Sequence, residues 1–152
     1  MAAAKYTSFM GDALALAEAA IAVGEVPVGA VIVRDGKIIG RGHNRTRIDQ
    51  DPTAHAEIVA IRQATQSLGN DRLEDCDLWV TLEPCTMCAG AIAYARIKRL
   101  YYAAEDPKGG AVDNGVRFFD APTCHHRPDV YAGLESERSA KLLLDFFRGR
   151  RD

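Results

Sequence analysis

The sequence predicts an α/β protein in which helices cover one mixed β-sheet. An apolar pattern of helical period near the N-terminus precedes two β-branched runs joined by an Asp-Gly pair, and strand-like and helix-like segments then alternate. This order of elements is typical of a sandwich around one sheet, in which strands joined by a helix run parallel. At 152 residues the chain has the length of about one domain, so we expect a single domain over residues 1–152.

The first predicted elements are a helix and a β-hairpin. The helix is indicated by apolar residues that recur with the α-helical period, namely Phe9, Ala13, Leu16, Ala17, Ala20 and Ile21. Residues 28–33 and 37–42 are predicted strands, and Asp35-Gly36 between them is a strong signal for a hairpin turn. The polar residues 44–53 are expected to form a loop.

The remaining segments alternate between helix and strand. A second helix is expected at 55–68, ending before Gly69-Asn70, which is a typical C-cap. Then follow a strand at 77–82, a third helix at 86–97, a strand at 98–103, a Gly-rich loop at 106–115, a weak strand at 130–134 and a helix at 136–148. The last helix has Leu142, Leu143, Phe146 and Phe147 for its apolar side.

Composition and charge exclude several classes of protein. With 47% apolar and 26% charged residues the chain is close to globular averages, and four cysteines are too few for a disulfide scaffold. Asp12 and Glu18 interrupt the Ala-rich start, so it does not fit a secretory signal, and no apolar run reaches the length of a membrane span. We therefore expect a cytoplasmic protein with no membrane partner.

Two short motifs hold the residues that could perform chemistry. His55-Ala56-Glu57 opens the second predicted helix, and Pro84-Cys85-Thr86-Met87-Cys88 opens the third. Cys85 and Cys88 share one helical face, and with His55 they supply two thiolates and one imidazole, a set that suits Zn²⁺. Three protein ligands leave an open position for water, as in catalytic zinc sites. From the spacing alone, a fourth protein ligand from a distant part of the sequence stays an alternative.

Glu57 is the candidate proton carrier. His55 and Glu57 are two residues apart, so they can reach one site only from the first turn of a helix. The positive ends of two helices would favour thiolate and hydroxide there. Because two thiolates and a neutral imidazole cancel the charge of Zn²⁺, its water would be less acidified than in a three-His site. A nearby carboxylate base then becomes more useful.

Other interpretations of these motifs stay open. A C-x-x-C that follows a strand and opens a helix is also typical of a thioredoxin-like pair that exchanges disulfides. The zinc could instead be structural, or part of a module that binds RNA without catalysis. Cys76 and Cys124 are most simply ordinary thiols, and His125-His126 are most simply loop histidines.

H-x-E followed by P-C-x-x-C is the signature of the zinc-dependent nucleoside and nucleobase deaminases. Within that cytidine/deoxycytidylate deaminase superfamily, nearly the whole chain resembles the bacterial tRNA-specific adenosine deaminases. The segments that carry this resemblance are 25–31, 42–45, 51–58, 81–92, 106–108, 110–111 and 145–148. The zinc motif is specific to the superfamily, and the flanking segments favour the tRNA-specific family within it.

The resemblance implies a cytidine-deaminase-like, three-layer α-β-α sandwich with a central mixed five-stranded sheet. It implies a homodimer that binds a tRNA anticodon arm and hydrolyses the wobble adenosine to inosine. One Zn²⁺ per chain would be held by His55, Cys85 and Cys88 and would activate the water that attacks C6 of adenine. Glu57 would protonate N1 and then pass a proton to the departing ammonia.

The same resemblance implies which residues bind the substrate: Asn44, Val28, Ala56, Asp106 and Lys108. Asn44 is expected to hydrogen-bond the flipped-out base, and Val28 and the backbone of Ala56 are expected to line its pocket. The alternative is a deaminase of guanine, cytosine or a free nucleoside with the same zinc chemistry.

Binding of RNA requires a local basic surface, because the net charge of the chain is −2. The candidate residues are Arg45, Arg47, Lys108, Arg117, Arg148, Arg150 and Arg151. If the fold brings them together, they could contact phosphates. Alternatively, charges on loops and at a helix C-terminus are simply solvated or complement the helix dipole.

Overall fold

Four α-helices alternate with five strands in the computed structural model, which describes residues 7–150. The elements are α1 (Met10–Ala22), β1 (Gly29–Arg34), β2 (Lys37–His43), α2 (Ala56–Leu68), β3 (Cys76–Leu82), α3 (Thr86–Ala95), β4 (Arg99–Ala104), β5 (Asp129–Ala132) and α4 (Ser136–Arg148). A short 3₁₀-helix at Phe118–Asp120 was not predicted. Among the helices of residues 7–150, none combines the length and the apolar character that crossing a bilayer requires.

The strands form one mixed sheet in the order β2-β1-β3-β4-β5. β1 runs antiparallel to both β2 and β3, whereas β4 runs parallel to β3 and to β5. The β1–β2 turn places Asp35 and Gly36 at φ 51° and 74°, the left-handed backbone that a tight hairpin of this kind requires. The mixed sheet and the parallel β3-α3-β4 unit confirm the predicted fold class.

The two faces of the sheet carry separate apolar clusters, because successive strand residues point to opposite sides. Ile32, Leu78 and Leu100 pack against small residues of α2 and α3 on one face. Val31 and Trp79 pack on the other face with residues of α1 and, at its margin, α4. These contacts produce the three layers.

Helix α2 lies in direct backbone contact with β2. A Cβ atom added at Gly42 would lie 2.6 Å from the carbonyl oxygen of Ala56 and 2.8 Å from the nitrogen of Ala60. Only a residue without a side chain allows this approach, which brings the first turn of α2 against the end of β2. That turn carries His55 and Glu57, so the contact helps to position the candidate site.

We therefore expect Gly42→Ala to lower the free energy of unfolding by about 1–3 kcal/mol, because the helix must shift away from the strand. Denaturant unfolding followed by circular dichroism measures the change. Gly11→Ala is the matched control, since a Cβ there meets nothing within 4 Å and Gly11 lies inside α1. The control should stabilise the protein by roughly 0.5–1 kcal/mol. Equal unfolding midpoints for wild type and Gly42→Ala would contradict the close-contact argument.

Some element ends and faces differ from the prediction. Helix α3 ends at Ala95 rather than at residue 97, because Arg96 takes the left-handed conformation at φ 63° and turns Ile97 into the core. Strand β5 covers 129–132 rather than 130–134, and Gly133 follows it at φ 94°. In α1 the fully buried face is formed by Met10, Ala13, Leu14, Ala17 and Ala20.

The apolar faces of the first and last helices were predicted only in part. Ile21 is 37% exposed, because the residues of α1 that contact the sheet lie on a different face of the helix. In α4, Leu142 packs against the sheet, whereas Phe147 is 51% exposed.

Candidate active site

The three predicted metal ligands meet at the N-termini of two neighbouring helices. His55 is the N-cap residue of α2 and Cys85 the N-cap residue of α3, both with extended backbone, and Cys88 lies in the first turn of α3. The Nδ1 atom of His55 is 3.6 Å from the Sγ atom of each cysteine. The three ligand atoms all lie within 4.8 Å of one another.

This donor set fits a zinc ion. A tetrahedral ion with zinc–nitrogen and zinc–sulfur bonds of about 2.0–2.3 Å separates its ligand atoms by roughly 3.5–3.8 Å. The two His55–cysteine distances of 3.6 Å fall in that range. Two thiolates and one imidazole are also the ligand types that zinc prefers. A redox-active cysteine pair does not need the imidazole. The position of His55 next to both cysteines therefore favours a metal centre over disulfide exchange.

The two cysteine thiols of the ligand group differ in pKa. A hydrogen bond from the Cys88 thiol holds the pKa of Cys85 at about 4, and a hydrogen bond with His55 adds to this effect against the cost of burial. The same bond to Cys85, together with burial, raises the pKa of Cys88. The hydrogen bond to Cys85 raises the pKa of His55. The surroundings of Cys85 therefore favour its thiolate, the form in which cysteine binds a metal ion.

Glu57 is buried beside these ligands. It lies in the first turn of α2 with only 4% of its surface exposed. Burial raises the pKa of Glu57 to about 7, and its side chain contacts the Cys88 thiol. A carboxyl group with such a pKa exchanges protons readily near neutral pH.

A pocket of about 380 Å³ opens onto the site, within the size range of small-ligand pockets. Of the residues expected to bind substrate, it is lined by Val28, Asn44, Ala56 and Asp106, together with His55, Glu57 and Cys85. Lys108 does not line it. That residue is exposed, and its backbone N–H donates to Asp106 Oδ1 within a turn.

Two buried carboxylates beside the pocket were not singled out from the sequence. Glu25, which is 1% exposed, accepts hydrogen bonds from Asn44 Nδ2 at 3.3 Å and from the N–H groups of Arg47 and Ile48 at 3.1 and 2.8 Å. It therefore orients Asn44 and the loop that follows. Glu83, which itself lines the pocket, has a similar role for the segment around Asp106. An acidic residue next to apolar residues and proline was the signal available for both.

The other cysteines and histidines lie apart from the ligand group. His126 Nε2 hydrogen-bonds the carbonyl oxygen of Ile97 at 2.6 Å, and the Cys124 thiol donates to the carbonyl oxygen of His126 at 3.1 Å. Cys76, the first residue of β3, is buried in the core, where burial raises its thiol pKa to about 11. These contacts are structural in kind, as expected.

The basic residues that were candidates for RNA contact have mixed surroundings. Arg45 forms a salt bridge with Asp49 at 3.0 Å, and the Arg150 guanidinium stacks 4.1 Å from the centre of the Phe146 ring. Arg151 lies outside the described residues. The phosphate-contacting surface stays a prediction.

Comparison with known proteins identifies the family. The family model of MafB19-like deaminases matches residues 5–151. A tRNA-specific adenosine deaminase from Agrobacterium fabrum is 60% identical over 148 residues, which cover 97% of each chain. A solved structure from a study of A-to-I editing by tRNA:A34 deaminases at the wobble position of transfer RNA is 61% identical, with a TM-score of 0.88. The match covers 89% of this chain and 98% of that chain.

A guanine deaminase from Bacillus subtilis is more distant, at 35% identity and a TM-score of 0.63 over 95% of this chain and 94% of that chain. The higher identity and closer structural match both fall on the tRNA side of the superfamily. The fold, the ligand group and these relatives lead to one conclusion: the chain belongs to the MafB19-like deaminases and, within them, to the family of tRNA-specific adenosine deaminases.

Proposed function

We propose that the chain hydrolyses adenosine at the wobble position of tRNA anticodons to inosine and ammonia, with one Zn²⁺ held by His55, Cys85 and Cys88. The observation that carries the proposal is the buried Glu57 beside these ligands at a pocket of about 380 Å³. The named relatives supply the substrate class, because a tRNA-specific adenosine deaminase is 60% identical to this chain.

Glu57 moves the protons of the reaction. When bound, the zinc ion supplies a Lewis acid that lowers the pKa of a water molecule and makes it a nucleophile at neutral pH. Glu57 takes one proton from that water as the oxygen bonds to C6 of adenine, and delivers it to N1. It then takes the proton of the new C6 hydroxyl and gives it to the amino group, which leaves as ammonia.

The pocket walls hold the base. Enzymes that act on a base take it out of the stack, and the pocket then reads its edge. In this proposal the side-chain amide of Asn44 hydrogen-bonds the base, and Val28 and the backbone of Ala56 contact its faces. Support comes from the hydrogen bond between Asn44 and Glu25 and from the position of all three residues in the pocket lining. Asp106 also lines the pocket. Lys108 lies outside this pocket, so its contact would be with the RNA around the base.

The proposal includes a cytoplasmic homodimer that binds a tRNA anticodon arm, with each chain acting as one deaminase domain. A net charge of −2 means that attraction to phosphates must be local. Two subunits side by side would combine the basic residues of both chains into a larger surface. Salt dependence of tRNA binding would report the number of phosphate contacts.

The direct test of the function is incubation of the purified protein with tRNA that carries adenosine at the wobble position. Sequencing, which reads inosine as guanosine, should show conversion at that position. The same tRNA with a wobble guanosine and an adenosine at the neighbouring anticodon position is the control and should stay unchanged. Ammonia release from guanine, cytosine and free adenosine is measured in parallel. Release from guanine, with tRNA left intact, would replace the proposal by a small-molecule deaminase.

A further inference from the structure

The segment 106–114 is folded around the carboxylate of Glu83. Oε1 accepts hydrogen bonds from the N–H of Asp106 at 3.0 Å and from the side-chain amide of Asn114 at 2.6 Å. Oε2 accepts from the N–H groups of Val112, Asp113 and Asn114 at 2.9 to 3.0 Å. Glu83 itself is only 2% exposed. Burial alone would raise its pKa, but these donors hold the pKa of Glu83 below its ordinary value.

The surrounding backbone fits this arrangement closely. The N–H of Glu83 donates to the carbonyl oxygen of Ala104 at 2.8 Å, and the N–H of Ala111 donates to that of Pro84 at 2.9 Å. A Cβ atom at Gly110 would lie 2.4 Å from Glu83 Cδ, so no side chain fits between the segment and the carboxylate. A carboxylate offers about four lone-pair sites, all as acceptor. With two hydrogen bonds to Oε1 and three to Oε2, both oxygens of Glu83 are fully occupied as acceptors.

Glu83 connects two parts of the candidate site. Along the chain it stands two residues before the ligand Cys85, and the segment that it holds contributes Asp106 and Gly109 to the pocket wall. The hydrogen bonds to its carboxylate span 23 to 31 residues of sequence. Without them, the wall would be attached to the ligand segment mainly through the two backbone bonds of Glu83 and Pro84.

We propose that Glu83 is a positioning residue for deamination, because its carboxylate fixes the 106–114 segment against the metal-ligand segment and so sets the shape of the pocket wall. It controls how tightly the pocket holds the substrate, whereas Glu57 controls the chemical step. The kinetic part of this inference rests on the proposed function, but the effect on the segment does not.

The first test is amide hydrogen exchange in Glu83→Gln, which keeps the size of the side chain and turns one acceptor into a donor. Exchange at Asp106, or at Val112, Asp113 and Asn114, should become at least about tenfold faster than in wild type, because the neutral amide accepts at only one of the two oxygen positions. The amides of Arg47 and Ile48, which donate to Glu25, should keep their rates. Unchanged exchange at both Asp106 and 112–114 would overturn the proposal whether or not the protein deaminates tRNA.

The second test separates binding from chemistry. For Glu83→Gln, the KM for tRNA should rise about tenfold, the loss expected for one charged hydrogen bond, while kcat changes by less than about threefold. Zinc content per chain should equal that of wild type. A lower kcat at unchanged KM, or loss of zinc, would overturn the positioning role and assign Glu83 to the metal centre.

Two further variants keep the test decisive. Asn114→Ala removes the side-chain amide that donates to Glu83 and serves as the test variant if Glu83→Gln folds poorly. Its KM for tRNA should rise less than that of Glu83→Gln. Glu74→Gln is the matched control, since that side chain is 64% exposed and pairs only with Arg72 in the described residues. It should leave both KM and exchange unchanged. If wild type does not act on tRNA, the proposed function fails, and the exchange result still decides the role of Glu83.

Discussion

Replacing Glu57 by glutamine is expected to lower kcat for tRNA deamination by a factor of about 10²–10⁴, the usual contribution of a positioned acid–base group. The amide has the size of the carboxyl group and fits the same buried place, where Glu57 is 4% exposed. It cannot accept a proton from water or deliver one to N1. Single-turnover kinetics with excess protein measure the chemical step directly.

The controls for Glu57→Gln separate chemistry from binding. Zinc content and tRNA affinity should stay at the wild-type level, because the ligands and the surface are unchanged. Asp77→Asn is the matched control: it removes a carboxylate at the opposite end of the sheet, 3.3 Å from Arg99, and should leave kcat unaltered. Wild-type turnover in both Glu57→Gln and Glu57→Ala would remove Glu57 from the mechanism. A zinc-loaded wild type that binds tRNA but does not convert it would instead indicate a binding module.

The helix starts and the ligand group were predictable because their signals are local. The H-x-E and P-C-x-x-C motifs were predicted to open the second and third helices, and the structure has His55 and Cys85 as the N-cap residues of α2 and α3. Placing both motifs at helix starts required only hydrophobic period and capping. That these two starts meet depends on β2 and β3 lying in one sheet, which the predicted α/β order already implied.

The supports of the pocket could not be derived in the same way. Glu25 and Glu83 are satisfied by donors about 20 to 30 residues further along the chain, such as Asn44 and Asn114. A local pattern shows an acidic residue in an apolar context, but not which loop folds over it. The end of α3 was missed for a related reason, since an arginine in the left-handed conformation has no reliable signature.

Removing bound metal with a chelator is expected to abolish deamination and to lower the melting temperature, and added Zn²⁺ should restore both. The fold brings His55, Cys85 and Cys88 together, so these three residues are expected to take up the added Zn²⁺. A ligand at 100 times its Kd stabilises a protein by about 2.7 kcal/mol. For a domain of this size, that corresponds to an increase in Tm of roughly 5–10 °C.

Cysteine variants assign this effect to the site. Cys88→Ser should lose both zinc and activity, because a neutral hydroxyl replaces a thiolate ligand. Cys124→Ser is the matched control, since that thiol binds only the carbonyl oxygen of His126 among the described contacts; it should retain about one zinc per chain, as a single catalytic site requires. A purified protein without zinc, and with Cys85 and Cys88 joined in a disulfide, would contradict the metal site and favour disulfide exchange. Zinc retained in Cys88→Ser would instead place the ion elsewhere, so the two variants together test where the metal binds.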